Sequence, residues 1–232
     1  MGREQGAVKE KAMHRIEKQN AVTNEIYHVF TRSIAGYKIF NTSSEFLRIK
    51  ETVRYYQQKD LPMKFSRFKQ LQDEMDNADE QKQRDRRLVA IIAYCIMPTH
   101  IHLVLKQLED KSISIYMNHV LNSYTRYFNT RHNRKGPLWE GRFKKVRVET
   151  DEQLLHLTRY IHLNPVTACL TEKPEDWGAS SYQEYLNRDL TPERITALEN
   201  ILDMAPRAYR EFVEERKDQQ RERARIKDVL FD

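Results

Sequence analysis

The chain is poor in cysteine and has no long hydrophobic run, and both shortages exclude classes of protein. Its two cysteines, Cys95 and Cys169, are too few for a disulfide framework or a cysteine-based zinc site. No apolar run reaches the ~18 residues that a membrane-spanning helix requires, and residues 1–20 are charged and unlike a signal peptide. We therefore expect a cytoplasmic protein with reduced thiols that does not contact a membrane.

Positive charge, by contrast, is abundant and is concentrated in one segment. The 232 residues carry a net charge of +6, and residues 122–148 hold eight Lys or Arg side chains against one acid. Aromatic side chains are interleaved with these cations. Cations contact phosphates and exposed aromatic rings stack on unpaired bases, so the segment favours a single-stranded nucleic acid as partner. The predicted DNA-binding residues are Arg126, Arg131, Arg134, Lys135, Trp139, Arg142, Phe143, Lys144, Lys145 and Arg147.

The alternative interpretation of this segment is a solvated basic face over a core that uses the aromatic rings. For Tyr127, Phe128 and Phe143 taken singly, the sequence leaves core packing and base stacking open. As a group, the cations and rings together favour DNA.

A strand with two histidines follows the buried run at 88–96. In the segment 100–106 the apolar residues Ile101, Leu103 and Leu105 alternate with His100 and His102. Successive side chains of a strand lie on opposite faces, so both imidazoles project together while the apolar residues enter a core. Two adjacent imidazoles suit a divalent metal if further ligands come from elsewhere in the chain. Two ordinary surface histidines are the alternative.

The segment Leu154–Asn164 offers the missing ligands, because its apolar residues recur at helical spacing. Asp151 is predicted to cap the start of this helix, and Pro165 is predicted to end it at Asn164. Tyr160 and Asn164 are four residues apart and therefore lie on one face. This places an amide oxygen, as a third ligand, one turn from a phenol that can act as nucleophile. Packing of Tyr160 at a core edge and capping of the helix by Asn164 are the alternatives.

Periodicity and turn residues predict the remaining elements and three regions of the chain. The sheet is expected to be largely antiparallel, with a central strand buried on both of its faces and helices on one face. The predicted strands are Ala21–Arg32, Leu88–Ile96 and Arg142–Val148. One predicted helix begins at Ser43 or Ser44 and ends at about Gln57, and another spans Ser114–Thr130. The predicted regions are a polar tail at 1–20, a domain at 21–186 with a charged insertion at about 60–87, and a C-terminal helical extension at 187–232.

Four segments together resemble a known family. In chain order they read AYCIMPTHIHLVL, GPLWEGRFK, RYIHLNPV and EDWGASSYQEYL. The chain resembles the REP-associated tyrosine transposases, which are single-strand DNA transposases of the HUH type, named for a His-hydrophobic-His motif. The resemblance runs from about Tyr27 to Tyr185 and is specific because four motifs occur in the same order.

The resemblance implies a fold, a chemistry and a set of site residues. His100 and His102 match the metal-binding pair, Asn164 the third metal ligand and Tyr160 the nucleophile. Family members cut single-stranded DNA beside a hairpin, leave a 5′-phosphotyrosine and a free 3′-hydroxyl, and rejoin strands by the reverse attack. The implied fold is α+β, with an antiparallel sheet of the ferredoxin-like or RRM-like HUH endonuclease kind. Neutral imidazole and amide ligands with phosphate indicate Mg²⁺ or Mn²⁺, although imidazoles also bind other transition metals.

Two other functions stay open at this stage. One is a non-catalytic DNA- or RNA-binding regulator that has kept the fold, although the full set of predicted site residues argues against it. The other is a metal-dependent nuclease that uses water in place of Tyr160. The sequence assigns no general base to Tyr160 and leaves the choice between monomer and homodimer undecided.

Overall fold

The computed structural model describes residues 21–71, 86–187, 194–197 and 204–217. The predicted polar tail at 1–20 lies outside the described residues, as do residues 72–85 of the charged insertion. Residues 188–193, 198–203 and 218–232 of the predicted C-terminal extension also lie outside them. Within its described part the extension contributes one helix, Pro206–Glu214.

The described residues form four strands and six α-helices. The strands are β1 (Ile26–Arg32), β2 (Val89–Met97), β3 (His100–Gln107) and β4 (Lys144–Val148). The helices are α1 (Ser43–Tyr55), α2 (Phe65–Leu71), α3 (Ser112–Arg131), α4 (Asp151–Thr167), α5 (Tyr182–Leu186) and α6 (Pro206–Glu214).

All strand pairs are antiparallel, and the strand order is β2-β3-β1-β4. Helix α1 lies between β1 and β2 in the chain and α3 between β3 and β4, which is the βαββαβ order of ferredoxin-like folds. The predicted α+β fold with an antiparallel sheet is confirmed. The prediction that β2 is a central strand is wrong, because β2 is at the edge of the sheet. Its burial comes from helices on both faces and from bonds such as Ile96 N–H to the Ala179 carbonyl (2.9 Å).

One face of the sheet packs against α1 and α3, and we call it the α1/α3 face. Val29 of β1 and Leu103 of β3 lie on this face and are fully buried, and so does every second residue of each strand counted from them. Tyr116 on α3 crosses to α1 and donates its hydroxyl to the Val53 carbonyl at 3.1 Å. The apolar residues predicted to alternate with the histidines therefore enter the main core.

Helix α1 begins with a capping box that also holds the end of α3. Thr42, and not Ser43 or Ser44, is the N-cap, and the carboxylate of Glu45 accepts the backbone N–H groups of Asn41 (2.7 Å) and Thr42 (3.1 Å). The same buried carboxylate contacts His132 Nε2 at 2.6 Å. Burial raises the pKa of Glu45, but the hydrogen bonds from Asn41, His132 and Thr42 outweigh burial and lower that pKa below its ordinary value.

The stability contributed by Glu45 is expected to depend on pH. Its folded pKa lies below the unfolded value of about 4.3, so its contribution is complete above that pH and is lost as the pH falls through the folded pKa. We expect Glu45→Gln to reduce the free energy of unfolding by about 2 kcal/mol at pH 7. The difference from wild type should shrink below pH ~4. Urea titrations between pH 3 and 7 measure it, and a difference that stays constant would contradict the assignment.

The opposite face of the sheet carries His100 and His102, and we call it the histidine face. Helix α4 packs there over β2, with Ile161 and Leu163 against Cys95 and Met97, and α5 and α6 complete this second core. The expectation that the helices lie on one face is therefore wrong. The apolar residues of α4 indicate that the helix packs on the sheet. Local periodicity does not reveal on which face of the sheet it packs.

Helix α4 differs from its predicted bounds at both ends. Thr150 is the N-cap, with its side chain accepting the N–H of Gln153, so Asp151 is the first helical residue. The helix continues through Pro165 to Thr167. Pro165 is buried, and because proline has no N–H, the Ile161 carbonyl loses the bond that it would otherwise accept from position 165.

A buried histidine ties α4 to the elements around it. His162 contacts the Tyr209 hydroxyl of α6 with Nδ1 and the Ser181 hydroxyl with Nε2, both at 2.7 Å. Helix α4 is thus held over β2, while the half-buried and exposed side chains of β1, β3 and β4 on the histidine face remain accessible beside it.

Candidate active site

The two predicted histidine ligands lie side by side on the histidine face. In the sheet register Arg32 pairs with His100 and Phe30 with His102. The ring centroids of His100 and His102 are 5.0 Å apart and the rings are nearly perpendicular, at 88°. His102 is buried, with 9% of its surface exposed, and His100 is half-buried. The predicted pairing of the imidazoles on one face is confirmed by the structure.

In both imidazole rings it is Nδ1 that contacts another group of the protein. His100 Nδ1 lies 2.9 Å from the Thr99 hydroxyl, and His102 Nδ1 lies 3.0 Å from Nε2 of His28. A neutral imidazole carries one N–H and one lone pair. If both Nδ1 atoms are donors, both Nε2 atoms carry the lone pair that a metal requires.

The surroundings of the two rings keep them neutral. Burial, followed by the positive charge of Arg32, lowers the pKa of His100 to about 4. Burial lowers the pKa of His102 well below its ordinary value, and His28, His100 and Arg32 lower it further. Both rings are therefore uncharged at neutral pH, the form in which histidine coordinates metals.

Tyr160 lies against His102, a contact that the spacing within α4 could not predict. The two ring centroids are 6.1 Å apart at 86°, an edge-to-face contact, and 45% of the Tyr160 surface is exposed. Burial of part of the ring, with a smaller contribution from Cys95, raises the pKa of its phenol. The phenol therefore keeps its proton at neutral pH.

Asn164 lies one turn beyond Tyr160 on α4 and is buried, with 8% of its surface exposed. Its Nδ2 atom has no hydrogen-bond partner. The oxygen and nitrogen of an amide have the same shape, so rotation of the amide by half a turn places the oxygen at this unpartnered position. A buried amide with one unpartnered atom suits the role of a third neutral ligand.

The donor set as a whole fits a metal held by neutral ligands. No group of three or more His, Cys, Asp or Glu side chains in the described ranges is arranged to hold a metal ion. A cation at this site would therefore depend on His100, His102 and Asn164, whose neutral atoms leave its charge uncancelled.

The basic segment divides between the two faces of the sheet. On β4, Lys144 pairs with Phe30 and shares the histidine face. Lys145 lies on the α1/α3 face, with its Nζ 5.0 Å from the centre of the Tyr27 ring. Arg147 has the same parity as Lys145 and forms an ion pair with Glu25 at 2.9 Å. The alternation of a strand thus allows only part of the predicted DNA-binding set to reach the histidines.

Two of the predicted aromatic contacts belong to the core. Trp139 is buried with its indole N–H toward the Thr125 hydroxyl (3.0 Å) and the Leu121 carbonyl (3.3 Å), so its ring is not available for base stacking. Phe143 is half-buried against the same core. The alternative that assigned the aromatic rings to the core is correct for Trp139.

The other predicted cations lie on or near α3 and the segment before β4. Arg131 pairs with Glu45 at 3.8 Å, and Arg134 donates to the Pro137 carbonyl at 2.8 Å. Arg126 lines a groove of about 590 Å³ beside α1 and α3. Lys135 and Arg142 are exposed in the connection to β4.

The structure adds two residues that the sequence did not indicate. His28 and Arg32 are on β1 and share the histidine face with His102 and His100. The sequence does place them together on one face of a strand, because His28, Phe30 and Arg32 alternate with the buried residues of β1. Recognising them requires the pairing of β1 with β3, which joins residues more than 70 positions apart.

Comparison with known proteins shows which proteins this chain resembles. Residues 63–164, which include all four predicted site residues, match the family model described as transposase IS200 like. A curated Haemophilus influenzae protein named as a REP-associated tyrosine transposase is 29% identical over 112 residues. The match covers 44% of this chain and spans 64% of that relative's length.

A solved structure shares the fold. It is described as the REP-associated tyrosine transposase bound to a REP hairpin, and it matches with a TM-score of 0.52 and 16% identity over 84% of this chain and 96% of that chain. The family-model match and the curated relative confirm the resemblance to REP-associated tyrosine transposases that the motifs indicated, and the solved structure shows that the fold is shared. Within the described residues no helix is long and apolar enough to cross a membrane.

Proposed function

We propose that this chain is a single-strand DNA transposase of the REP-associated tyrosine type, which nicks and rejoins DNA next to hairpins through Tyr160. The observation that carries the proposal is the contact of the half-exposed Tyr160 ring with His102, beside a second imidazole. The segment that matches IS200-like transposases contains this whole constellation. The proposal includes a cytoplasmic location, because the substrate is DNA.

The proposed reaction is an exchange of phosphate esters. The Tyr160 oxygen attacks the scissile phosphorus, the bond from phosphorus to the 3′-oxygen breaks, and a 5′-phosphotyrosine forms. The phenol loses its proton and the departing 3′-oxygen gains one. Attack by a 3′-hydroxyl reverses these steps and joins strands without an external energy source.

The chain's own residues bind and orient the reacting groups. His100, His102 and Asn164 would hold Mg²⁺ or Mn²⁺, which when bound withdraws charge from the phosphate and the departing 3′-oxygen. Lys144 and Arg32, exposed on the same face, are placed to contact neighbouring phosphates. The contact with His102 restricts the Tyr160 ring, so the hydroxyl is presented in a limited range of orientations.

A covalent-adduct assay tests this function. The protein is incubated with a pool of single-stranded hairpin oligonucleotides, labelled at either end, and Mn²⁺, and is then run on a denaturing gel. We expect the 3′ label to migrate with the protein and EDTA to abolish the adduct. Hairpin binding without cleavage would instead identify a regulator, and cleavage without an adduct would identify a nuclease that uses water.

The two faces of β4 offer a matched test of DNA contact. Lys144→Gln removes a cation from the histidine face, and Lys145→Gln removes one from the opposite face. Each lost phosphate contact to a single strand reduces the slope of log K against log salt by about 0.7. We expect that change for Lys144→Gln, about twice that change when Arg142→Gln is added, and no change for Lys145→Gln. Equal slopes for Lys144→Gln and wild type in filter binding would exclude this face as the DNA contact.

A further inference from the structure

His28 lies within hydrogen-bond distance of the His102 ring. Its Nε2 lies 3.0 Å from His102 Nδ1, although the two residues are 74 positions apart. The ring planes differ by 21° and the centroids are 5.2 Å apart, well beyond the distance between the bonded nitrogens. The rings therefore meet edge to edge, close to one plane, which is the geometry of a good hydrogen bond.

The bond between two neutral imidazoles can be made in only two ways. In one, His102 donates its Nδ1–H to His28 and keeps the lone pair on Nε2. In the other, His28 donates, and His102 carries its proton on Nε2, where a metal cannot bind. Whether His28 accepts or donates this hydrogen bond therefore determines whether His102 can bind a metal.

We propose that His28 is a positioning residue, which accepts the Nδ1–H of His102 and so fixes that ring in the tautomer and orientation that bind the metal. The inference rests on the proposed function, since it concerns the metal-binding pair of that site. Thr99 has the corresponding place beside His100, where its hydroxyl meets Nδ1 at 2.9 Å. Each of the two histidine ligands thus has its own partner in the chain.

The surroundings of His28 explain why an imidazole occupies this place. In the register His28 lies between Val104 of β3 and Val146 of β4, and its ring centroid is 4.9 Å from that of Phe30. A carboxylate, the common partner of metal-bound histidine, would cancel part of the charge of a bound cation. A neutral imidazole supplies the acceptor and leaves the positive charge of a bound cation undiminished.

Two variants separate a positioning role from a merely structural one. His28→Gln keeps an acceptor, because the amide oxygen can take the place of Nε2, whereas His28→Phe keeps an aromatic ring without an acceptor. We expect His28→Phe to weaken Mn²⁺ binding by about 10- to 100-fold in calorimetry without DNA, and His28→Gln to remain within about threefold of wild type. Hairpin binding in EDTA should be the same for all three proteins. Unchanged Mn²⁺ affinity in His28→Phe, or equal losses in both variants, would overturn the proposal.

A measurement on the unaltered protein keeps the proposal testable if a variant fails to fold. Long-range ¹H–¹⁵N spectra of the metal-free protein report which nitrogen of each histidine ring carries the proton. We expect the proton of His102 on Nδ1, and a proton on Nε2 would overturn the proposal. Neither measurement uses cleavage, so the absence of a DNA adduct would contradict the proposed function without deciding the role of His28.

Discussion

Replacing Tyr160 with phenylalanine is expected to abolish strand cleavage while hairpin binding and Mn²⁺ binding persist. The substitution removes one oxygen and keeps the ring that contacts His102 edge to face at 6.1 Å. Loss of a nucleophile reduces the rate by on the order of 10³-fold or more, because the remaining groups cannot supply a covalent step. The loss should therefore appear in the adduct and nicking assays and not in binding.

Tyr37→Phe is the matched control for this experiment. Tyr37 is also an exposed tyrosine, with 57% of its surface accessible, but its ring packs near Phe128 on the other side of the sheet from the histidines. We expect Tyr37→Phe to form the adduct at the wild-type rate. An adduct that survives in Tyr160→Phe would remove Tyr160 from the role of nucleophile, and nicking without an adduct would favour water.

The parts of the site that the sequence predicted are those determined by local periodicity. The alternation around His100 and His102 places both imidazoles on one face of any strand, whatever the strand pairs with. The four-residue spacing of Tyr160 and Asn164 places them on one face of any helix. Both relations hold in the structure, where β3 and α4 each contribute two neighbouring side chains.

The parts that the sequence did not predict depend on contacts between distant segments. Alternation along β4 separates Lys144 from Lys145, but the pairing of Lys144 with Phe30 decides which of them shares a face with the histidines. In the same way, Trp139 carries no local signal for burial, and its place in the core depends on α3, whose Thr125 hydroxyl meets the indole N–H. His28 was missed because its partner His102 comes from another strand.

The second large effect is expected for His102→Ala, which should eliminate Mn²⁺ binding and cleavage although Tyr160 remains. The substitution removes one of two imidazole ligands, and the described residues contain no group of three or more His, Cys, Asp or Glu side chains that could hold the metal instead. It also removes the partner of His28. We expect the affinity for Mn²⁺ to fall by on the order of 100-fold or more, so that no adduct forms at the Mn²⁺ concentration that suffices for wild type.

His156→Ala is the control, because His156 lies on α4 with Tyr160 but contacts Arg159 and Phe212 and not the site. It should bind Mn²⁺ and form the adduct as wild type does. Comparison with Tyr160→Phe then separates the two roles, because His102→Ala should lose metal binding and cleavage together, whereas Tyr160→Phe should lose cleavage alone. If His102→Ala still formed a Mn²⁺-dependent adduct, the cation would have to be held by other groups, such as the DNA phosphates themselves. His100 and His102 would then serve to orient Tyr160, and the metal-ligand assignment would be wrong while the nucleophile assignment remained.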